Sequence, residues 1–355
     1  MVQLLGFGSN GSGQLGIGHQ DDVSSPTTAR LELKHHQSIK KIVAGGKHTL
    51  VLSDDGVLLR AGSQTPGCRF VNFGNINNEP IQKHDCSTLT SENGTGLLRY
   101  IDCAATWEGS VGVLEDGTVE SSGVGRKGEL GLGIGVTTAN DAKVIPSFPP
   151  DGTIVVDISA SMSHVVAILS NGHVYGWGAG RKGQLGVPGI FWKPRRITEV
   201  QFRATRAVCG KDFTFIVGDP QHGEHMILGS DKWFVITNKP SVLPPWKDIG
   251  ASWGSIYVLL ETGEVLSWGR NDHKQLCPPG FPPVAKVAVG SEHAICLTES
   301  GKVIAWGWGE HGNCGPIPTD FGHDSPGFEI KYAGKVMLLG AGCATSWMVV
   351  SNLVP

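Results

Sequence analysis

The sequence predicts an all-β fold, a seven-bladed β-propeller, on three observations. Two short patterns alternate along the chain, each in seven copies, at a mean period of about 50 residues. The segments between turns are four to seven residues long, β-branched or aromatic, and bounded by Gly, Asp and Asn. The two ends of the chain supply complementary halves of one repeat.

The first pattern is an apolar segment, a small-residue corner, a second apolar segment and a polar turn ending in Gly. The run from Ile42 to Gly56 (IVAGGKHTLVLSDDG) is its clearest copy. Others end at Gly117, Gly172, Gly263 and Gly301, a variant runs from Ala207 to Gly218, and the last runs from Gly340 to Val350. The second pattern is a short strand entering a Gly-rich loop, at Gly6–Gly16, Gly123–Gly131, Trp177–Gly186, Trp268–Leu276 and Trp306–Gly315, with degenerate copies near Gly62 and Gly229. The turns Asp54-Asp55-Gly56, Glu115-Asp116-Gly117 and Ser170-Asn171-Gly172 suit hairpins, because Gly after Asp or Asn adopts positive φ at low cost.

Each repeat therefore reads as a four-stranded meander of strands A to D. One such sheet cannot bury both faces, whereas seven packed radially can. The final blade takes strands A and B from residues 334 to 352 and strands C and D from residues 1 to 33, which removes the free edge of an open stack. One domain over residues 1–355 is expected. The stretch from Ser63 to Leu98 is polar and rich in Asn, Ser and Thr; it is expected to hold the D strand of blade 1 and a long excursion.

Composition narrows the function classes. Apolar residues make up 40% of the chain, enough for a large core, and charged residues only 17%. Net charge is -3 and no Lys/Arg block stands out, so no direct grip on nucleic acid is expected. No apolar run approaches the length of a membrane span, and the start lacks a signal-peptide pattern, so no membrane contact is expected. The eight Cys include no C-x-x-C pair and read as reduced thiols of a cytoplasmic and nuclear protein. Asn10-Gly-Ser and Asn93-Gly-Thr match the glycosylation pattern by chance on that reading.

Catalytic motifs are not found. There is no phosphate loop with Lys-Ser/Thr and no G-x-S-x-G elbow, and the G-x-G runs at Gly6 and Gly123 precede loops instead of helices. The pairs His311/Cys314, His273/Cys277 and His84/Cys86 have metal-like spacing, but they fall on different blades and zinc needs about four ligands on one tetrahedron. The sequence thus predicts no catalytic residue, no cofactor and no bound metal. An enzyme with a site in the central channel is the third reading, with no nucleophile–base pair to support it.

The G-x-x-H-T-L-x-L and W-G-x-G-x-x-G-Q-L-G patterns resemble the repeats of the RCC propeller family along the whole chain. The opening Phe7–His19, the run Trp306–Pro316 and the ending Gly342–Trp347 are similar to fungal members of that family. The resemblance implies a non-catalytic scaffold in a heterodimer with a small zinc-binding protein. It implies roles in diphthamide synthesis on elongation factor 2 and in Elongator-dependent modification of wobble uridine in tRNA, with Elongator contacted indirectly. A second function known in the family is guanine-nucleotide exchange on a Ran-like GTPase.

Site residues follow from meander geometry, not from the resemblance. A–B corners and C–D loops emerge on one face; hairpin turns and blade-to-blade links emerge on the other. The position of Gly46 in blade 1 is held by Trp107, Met162, Trp253 and Ser291 in blades 2, 3, 5 and 6, with Glu108 beside Trp107 and Lys211-Asp212 at the blade 4 corner. C–D loops add Arg270, Asn271, Asp272, Trp308, Glu310 and His311. Trp at a corner is either a partner anchor or a lid over the channel. Trp177, Trp268 and Trp306 recur at the end of strand C and read as inter-blade packing. His48, His164 and His293 recur at one position and are expected to bond neighbouring backbone.

Overall fold

The computed structural model describes residues 2–31, 33, 37–63, 71–74, 99–316 and 327–351. Within them the chain forms seven small sheets in a ring. Blade 7 uses β1 (Val2–Gly8) and β2 (Val23–Thr28). Blade 1 holds β3 (Ile39–Ala44), β4 (His48–Ser53), β5 (Leu58–Gly62) and β6 (Val71–Asn72). Blade 2 holds β7 (Tyr100–Ala105), β8 (Glu108–Leu114), β9 (Val119–Val124) and β10 (Thr138–Val144). Blade 3 holds β11 (Val155–Ala160), β12 (His164–Leu169), β13 (Val174–Ala179) and β14 (Ile190–Ile197). Blade 4 holds β15 (Arg206–Cys209), β16 (Phe213–Val217) and β17 (His225–Gly229); blade 5 holds β18 (Trp246–Ala251), β19 (Ser255–Leu260) and β20 (Val265–Gly269). Blade 6 holds β21 (Val284–Val289), β22 (His293–Thr298), β23 (Val303–Gly307) and β24 (Phe328–Ile330), and β25 (Lys335–Ala341) with β26 (Thr345–Ser351) completes blade 7.

Closure runs as the sequence predicts. β1 pairs antiparallel with β26 from Val2 opposite Ser351 to Gly8 opposite Thr345, so the two chain ends share one sheet. Trp347 of β26 is fully buried against Gly6, where any side chain would collide with the indole ring.

The four-strand expectation fails in two blades. Among the described residues blades 4 and 5 have three strands each. Their fourth segments carry Pro240, Pro244 and Pro245, and Pro278, Pro279, Pro282 and Pro283. Proline removes the ladder N–H, so these segments cannot continue a sheet. In blade 4 the chain instead folds around Asp231, whose carboxylate accepts from the backbone N–H of Ile236 at 2.7 Å and Thr237 at 3.0 Å. The fourth strand of blade 1 is also not a meander strand: β6 runs parallel to β5. Most of the Ser63–Leu98 stretch, with His84, Cys86 and Asn93, lies outside the described residues.

Blades lock through the recurrent tryptophans. Trp177 Nε1 donates to Glu129 O, Trp268 Nε1 to Val235 O and Trp306 Nε1 to Gln275 O, each at 2.8–2.9 Å and each reaching the preceding blade. These indoles are buried, as a packing role requires.

The recurrent histidines bond differently from expectation. Their partners are hydroxyls of the next blade: His48 Nε2 lies 3.0 Å from Ser110 Oγ, His164 Nε2 3.1 Å from Thr214 Oγ1 and His293 Nε2 2.9 Å from Ser346 Oγ. Thr214 and Ser346 spend their single protons on Gln184 O and Asn313 O. The imidazole Nε2 must then be the donor, which sets the neutral Nε2–H tautomer. A side-chain partner wins because backbone in the B strands is already committed to both neighbouring strands.

Candidate protein-binding site

Corners and C–D loops do share a face. Ser63 N donates to Lys47 O, Arg270 N to Gly254 O and Trp308 N to Glu292 O, tying each loop to the corner of its own blade. On the other face Glu115 N donates to Arg99 O and Glu261 N to Pro245 O, tying hairpin turns to linkers. Corner residues are also joined from blade to blade. Gly46 N donates to Trp107 O, Trp107 N to Met162 O, Lys211 N to Trp253 O, Trp253 N to Ser291 O and Ser291 N to Gly342 O, at 2.8–3.1 Å. These bonds tie the corners together in two runs, one across blades 1 to 3 and one across blades 4 to 7.

Trp107 and Trp253 come from blades 2 and 5, yet their ring centroids are 6.2 Å apart at a 40° tilt. They therefore meet across the mouth. The innermost strands of all seven blades line a cavity of about 290 Å³ beneath them. Both indoles remain half-buried. Gly46 is required beside Trp107, because a Cβ there would lie 2.4 Å from the indole. Lys211 Nζ sits 5.5 Å from the Trp253 ring, a cation–π distance. Glu108 is ion-paired with Lys47 of blade 1. Met162 contributes its carbonyl to the first of these runs, and the Asp212 carbonyl accepts from Ser230 N at 2.9 Å.

A second cluster spans blades 4 to 6. Arg270 grips Asp272 with two bonds of 2.7 and 2.9 Å and Glu292 with one of 2.7 Å. Hydrogen bonds from Arg270 hold the Asp272 carboxyl well below the usual carboxylate range. The guanidinium also lies 5.0 Å from the Trp233 ring and 5.7 Å from the Trp308 ring. His273 stacks on Trp308 at 4.2 Å, the two rings nearly parallel. Trp308 is 37% exposed, the one tryptophan among the large exposed apolar side chains.

The remaining residues expected here are placed apart. Asn271 has a structural task, its Oδ1 accepting from Leu276 N at 3.0 Å. His311 Nδ1 meets Asp22 Oδ2 at 2.8 Å and links blade 6 to blade 7. Glu310 is exposed on the same loop. Among the described residues no three His, Cys, Asp or Glu side chains are arranged to hold a metal ion, and the six described cysteines are free thiols.

The repeat described as Regulator of chromosome condensation (RCC1) repeat matches residues 3–52 and 171–217, and a second form of it matches 155–184 and 284–313. Over 363 residues the chain is 31% identical to an RCC1 repeat-containing protein of Schizosaccharomyces pombe, spanning 98% of this chain and 99% of that one. The chain belongs to the RCC1 repeat family. This RCC1 propeller is also 27% identical to the secretion-regulating guanine nucleotide exchange factor of Mus musculus, over 82% of this chain and 65% of the mouse protein. Prp20p from Saccharomyces cerevisiae has the same fold, with a TM-score of 0.80 at 20% identity over 99% of this chain and 92% of that one. Human WBSCR16 matches over the full length of both chains with a TM-score of 0.77 at 16% identity.

Sequence reasoning missed two parts of this RCC1 propeller. One is the contribution of Trp233, His273 and Glu292 to the Arg270 cluster. A repeat alignment finds nothing at Trp233, because its segment replaces a strand. The other is a charged ring at the far end of the channel. Lys41 Nζ bonds Asp102 at 2.6 Å, and Arg206 lies between Asp248 at 2.6 Å and Asp157 at 4.0 Å. Burial pushes the Asp157 carboxyl up, against the opposing pull of Lys41 and Arg206. These residues occupy one position in successive innermost strands, a regularity that the repeat alignment contains.

Proposed function

We propose that this RCC1 propeller is a non-catalytic protein-binding subunit whose corner face receives its partner. The observation that carries the reading is the half-buried Trp107–Trp253 pair at the channel mouth, with Lys211 against it. Aromatic residues fixed on a rigid surface lose little entropy on binding and dominate interface energetics. Trp308 and the Arg270 cluster extend that surface toward blade 6.

For the partner's identity we propose a small zinc-binding protein of the diphthamide pathway, with Elongator reached indirectly. Support comes from the likeness of Phe7–His19, Trp306–Pro316 and Gly342–Trp347 to the fungal α-tubulin suppressor protein. Affinity capture of the full chain followed by mass spectrometry tests this. A small zinc protein recovered in equimolar amount is expected. Trp107→Ala and Trp253→Ala should each weaken that complex by about 2 kcal/mol, near 30-fold, with little change in melting temperature. Normal binding by both variants would move the partner off the corner face.

A second reading is guanine-nucleotide exchange, favoured by the name of the mouse relative. The proposal expects no acceleration of labelled-GDP release from a Ran-type GTPase. Robust acceleration would put exchange first.

A further inference from the structure

The C–D loops of neighbouring blades carry the same basic pair, Arg126-Lys127 in blade 2 and Arg181-Lys182 in blade 3. Blade 5 has Asp272-His273 at that position, blade 6 Glu310-His311 and blade 7 Gly11-Ser12, so the rim is strongly basic in one sector. Both basic loops are pinned. Lys127 N donates to Glu129 Oε2 at 2.6 Å and Lys182 N to Gln184 Oε1 at 3.0 Å, while all four basic side chains are exposed.

The blade 2 loop lies directly on β14 of blade 3. Gly133 N donates to Trp192 O at 2.9 Å, and a Cβ on Gly128 would meet Phe191 O at 2.7 Å. β14 adds exposed Lys193 and half-buried Trp192, while the neighbouring Phe191 ring packs inward on the blade 3 core and the blade 3 loop. The Arg195 guanidinium lies 5.1 Å from the centre of the Phe191 ring. Among the described residues Arg126, Lys127, Arg181, Lys182 and Lys193 enter no ion pair. Five cations thus lie on the neighbouring blades 2 and 3, carried by three separate segments of a chain whose net charge is -3. The absence of a basic block, on which the expectation of no nucleic-acid contact rests, does not describe the folded surface.

We propose that this rim of blades 2 and 3 binds single-stranded nucleic acid, its cations meeting phosphates and the Trp192 indole meeting a base. An acidic polypeptide would match the charge but leave the Trp192 indole without a use. A duplex keeps its base faces stacked within itself, so it too would leave the indole idle. An aromatic face set among cations is the pattern that unpaired bases on a phosphate chain require. The rim shares the corner face with the Trp107–Trp253 pair but uses different residues, and the test takes the chain without a partner, so its outcome is independent of the protein-partner reading.

Fluorescence anisotropy of the full chain with a labelled oligouridylate of 15 nucleotides is the test. Neutralising five phosphates on a single strand predicts that affinity falls roughly 100-fold between 50 and 200 mM salt. Replacing Arg126, Lys127, Arg181 and Lys182 together by Ala should weaken binding at least 10-fold at 50 mM salt and flatten the salt dependence. Trp192→Ala should cost about 5-fold or more with the salt slope unchanged. Lys302→Ala on blade 6 should do nothing. The quadruple change lies on exposed turns, so a near-ultraviolet spectrum matching wild type keeps its result interpretable. No binding at 50 mM salt, or equal binding by the quadruple variant, overturns the proposal. Tighter binding of polyglutamate would assign the rim to an acidic polypeptide. Equal binding of duplex DNA, with Trp192→Ala silent, would remove the single-strand assignment.

Discussion

At the scale of single residues, His164 and His293 couple the fold to pH. Burial pulls both imidazoles down from the usual value of 6.5 to about 4, and it also holds His48 well below that value. Each is neutral in the folded protein and protonates more readily when unfolded. The unfolded chain therefore binds extra protons between pH 6.5 and 4, and stability falls as pH drops through that window. At pH 5 the loss should be about 2 kcal/mol for each of His164 and His293. Urea midpoints at pH 7.5 and pH 5 measure it. A His164→Gln/His293→Gln variant should be less stable at pH 7.5 but lose less on acidification; an unchanged pH dependence would show that other groups control it. The three histidines were legible in the sequence as a structural set, because they recur at the repeat period. Their hydroxyl partners were not, since Ser110, Thr214 and Ser346 sit in the next blade and only blade packing brings them within 3.1 Å.

At the scale of elements, β1 matters out of proportion to its seven residues. It is an interior strand of blade 7, bonded to β26 on one side and β2 on the other. Its Leu5 and Phe7 belong to the core that joins blades 6 and 7, and Leu4 belongs to the core that joins blades 7 and 1. Deleting residues 1 to 8 would expose both faces of that blade and leave β26 as an unpaired edge. The expected outcome is loss of cooperative thermal unfolding or a fall in melting temperature well beyond 10 °C, read by circular dichroism. Retention of the wild-type transition would contradict the closure described here. Strand A, B and C positions were readable because short apolar runs bounded by hairpin turns impose a local pattern. The D strands were less so. They lie at the outer edge, where fewer neighbours constrain sequence, and proline removes them from blades 4 and 5.

At the scale of the whole molecule, the channel is closed at one end by indoles and braced at the other by charge. Arg206 of blade 4 joins Asp157 of blade 3 to Asp248 of blade 5, so one guanidinium spans three blades. Its removal leaves buried Asp157 with Lys41 as its remaining neighbouring cation. Arg206→Met should cost about 1–3 kcal/mol, less than a fully buried pair would, because Arg206 stays 37% exposed. The pH dependence has a definite sign. Asp157 is already raised above the usual carboxylate value, and losing Arg206 raises it further. Stability is then lost as pH rises through the folded value, so the deficit relative to wild type should be larger at pH 7.5 than at pH 4.5. Denaturation of both proteins at the two pH values decides this, and a deficit independent of pH would mean that Arg206 does not act through Asp157.

Blade number, blade order and the shared final blade followed from the amino-acid sequence alone, because they depend on short-range facts: strand length, turn chemistry and a repeat period. So did the packing role of Trp177, Trp268 and Trp306, which the period itself exposes. What the tertiary structure decided concerns residues far apart in the chain. It set Trp107 against Trp253 across a channel, Arg270 between Trp233 and Trp308, and Gly133 of the blade 2 loop beside Lys193 on one rim. A local pattern specifies each blade but not the angle between blades. Side chains on different blades meet only when the ring has closed, and every candidate binding surface of this molecule is made of such meetings.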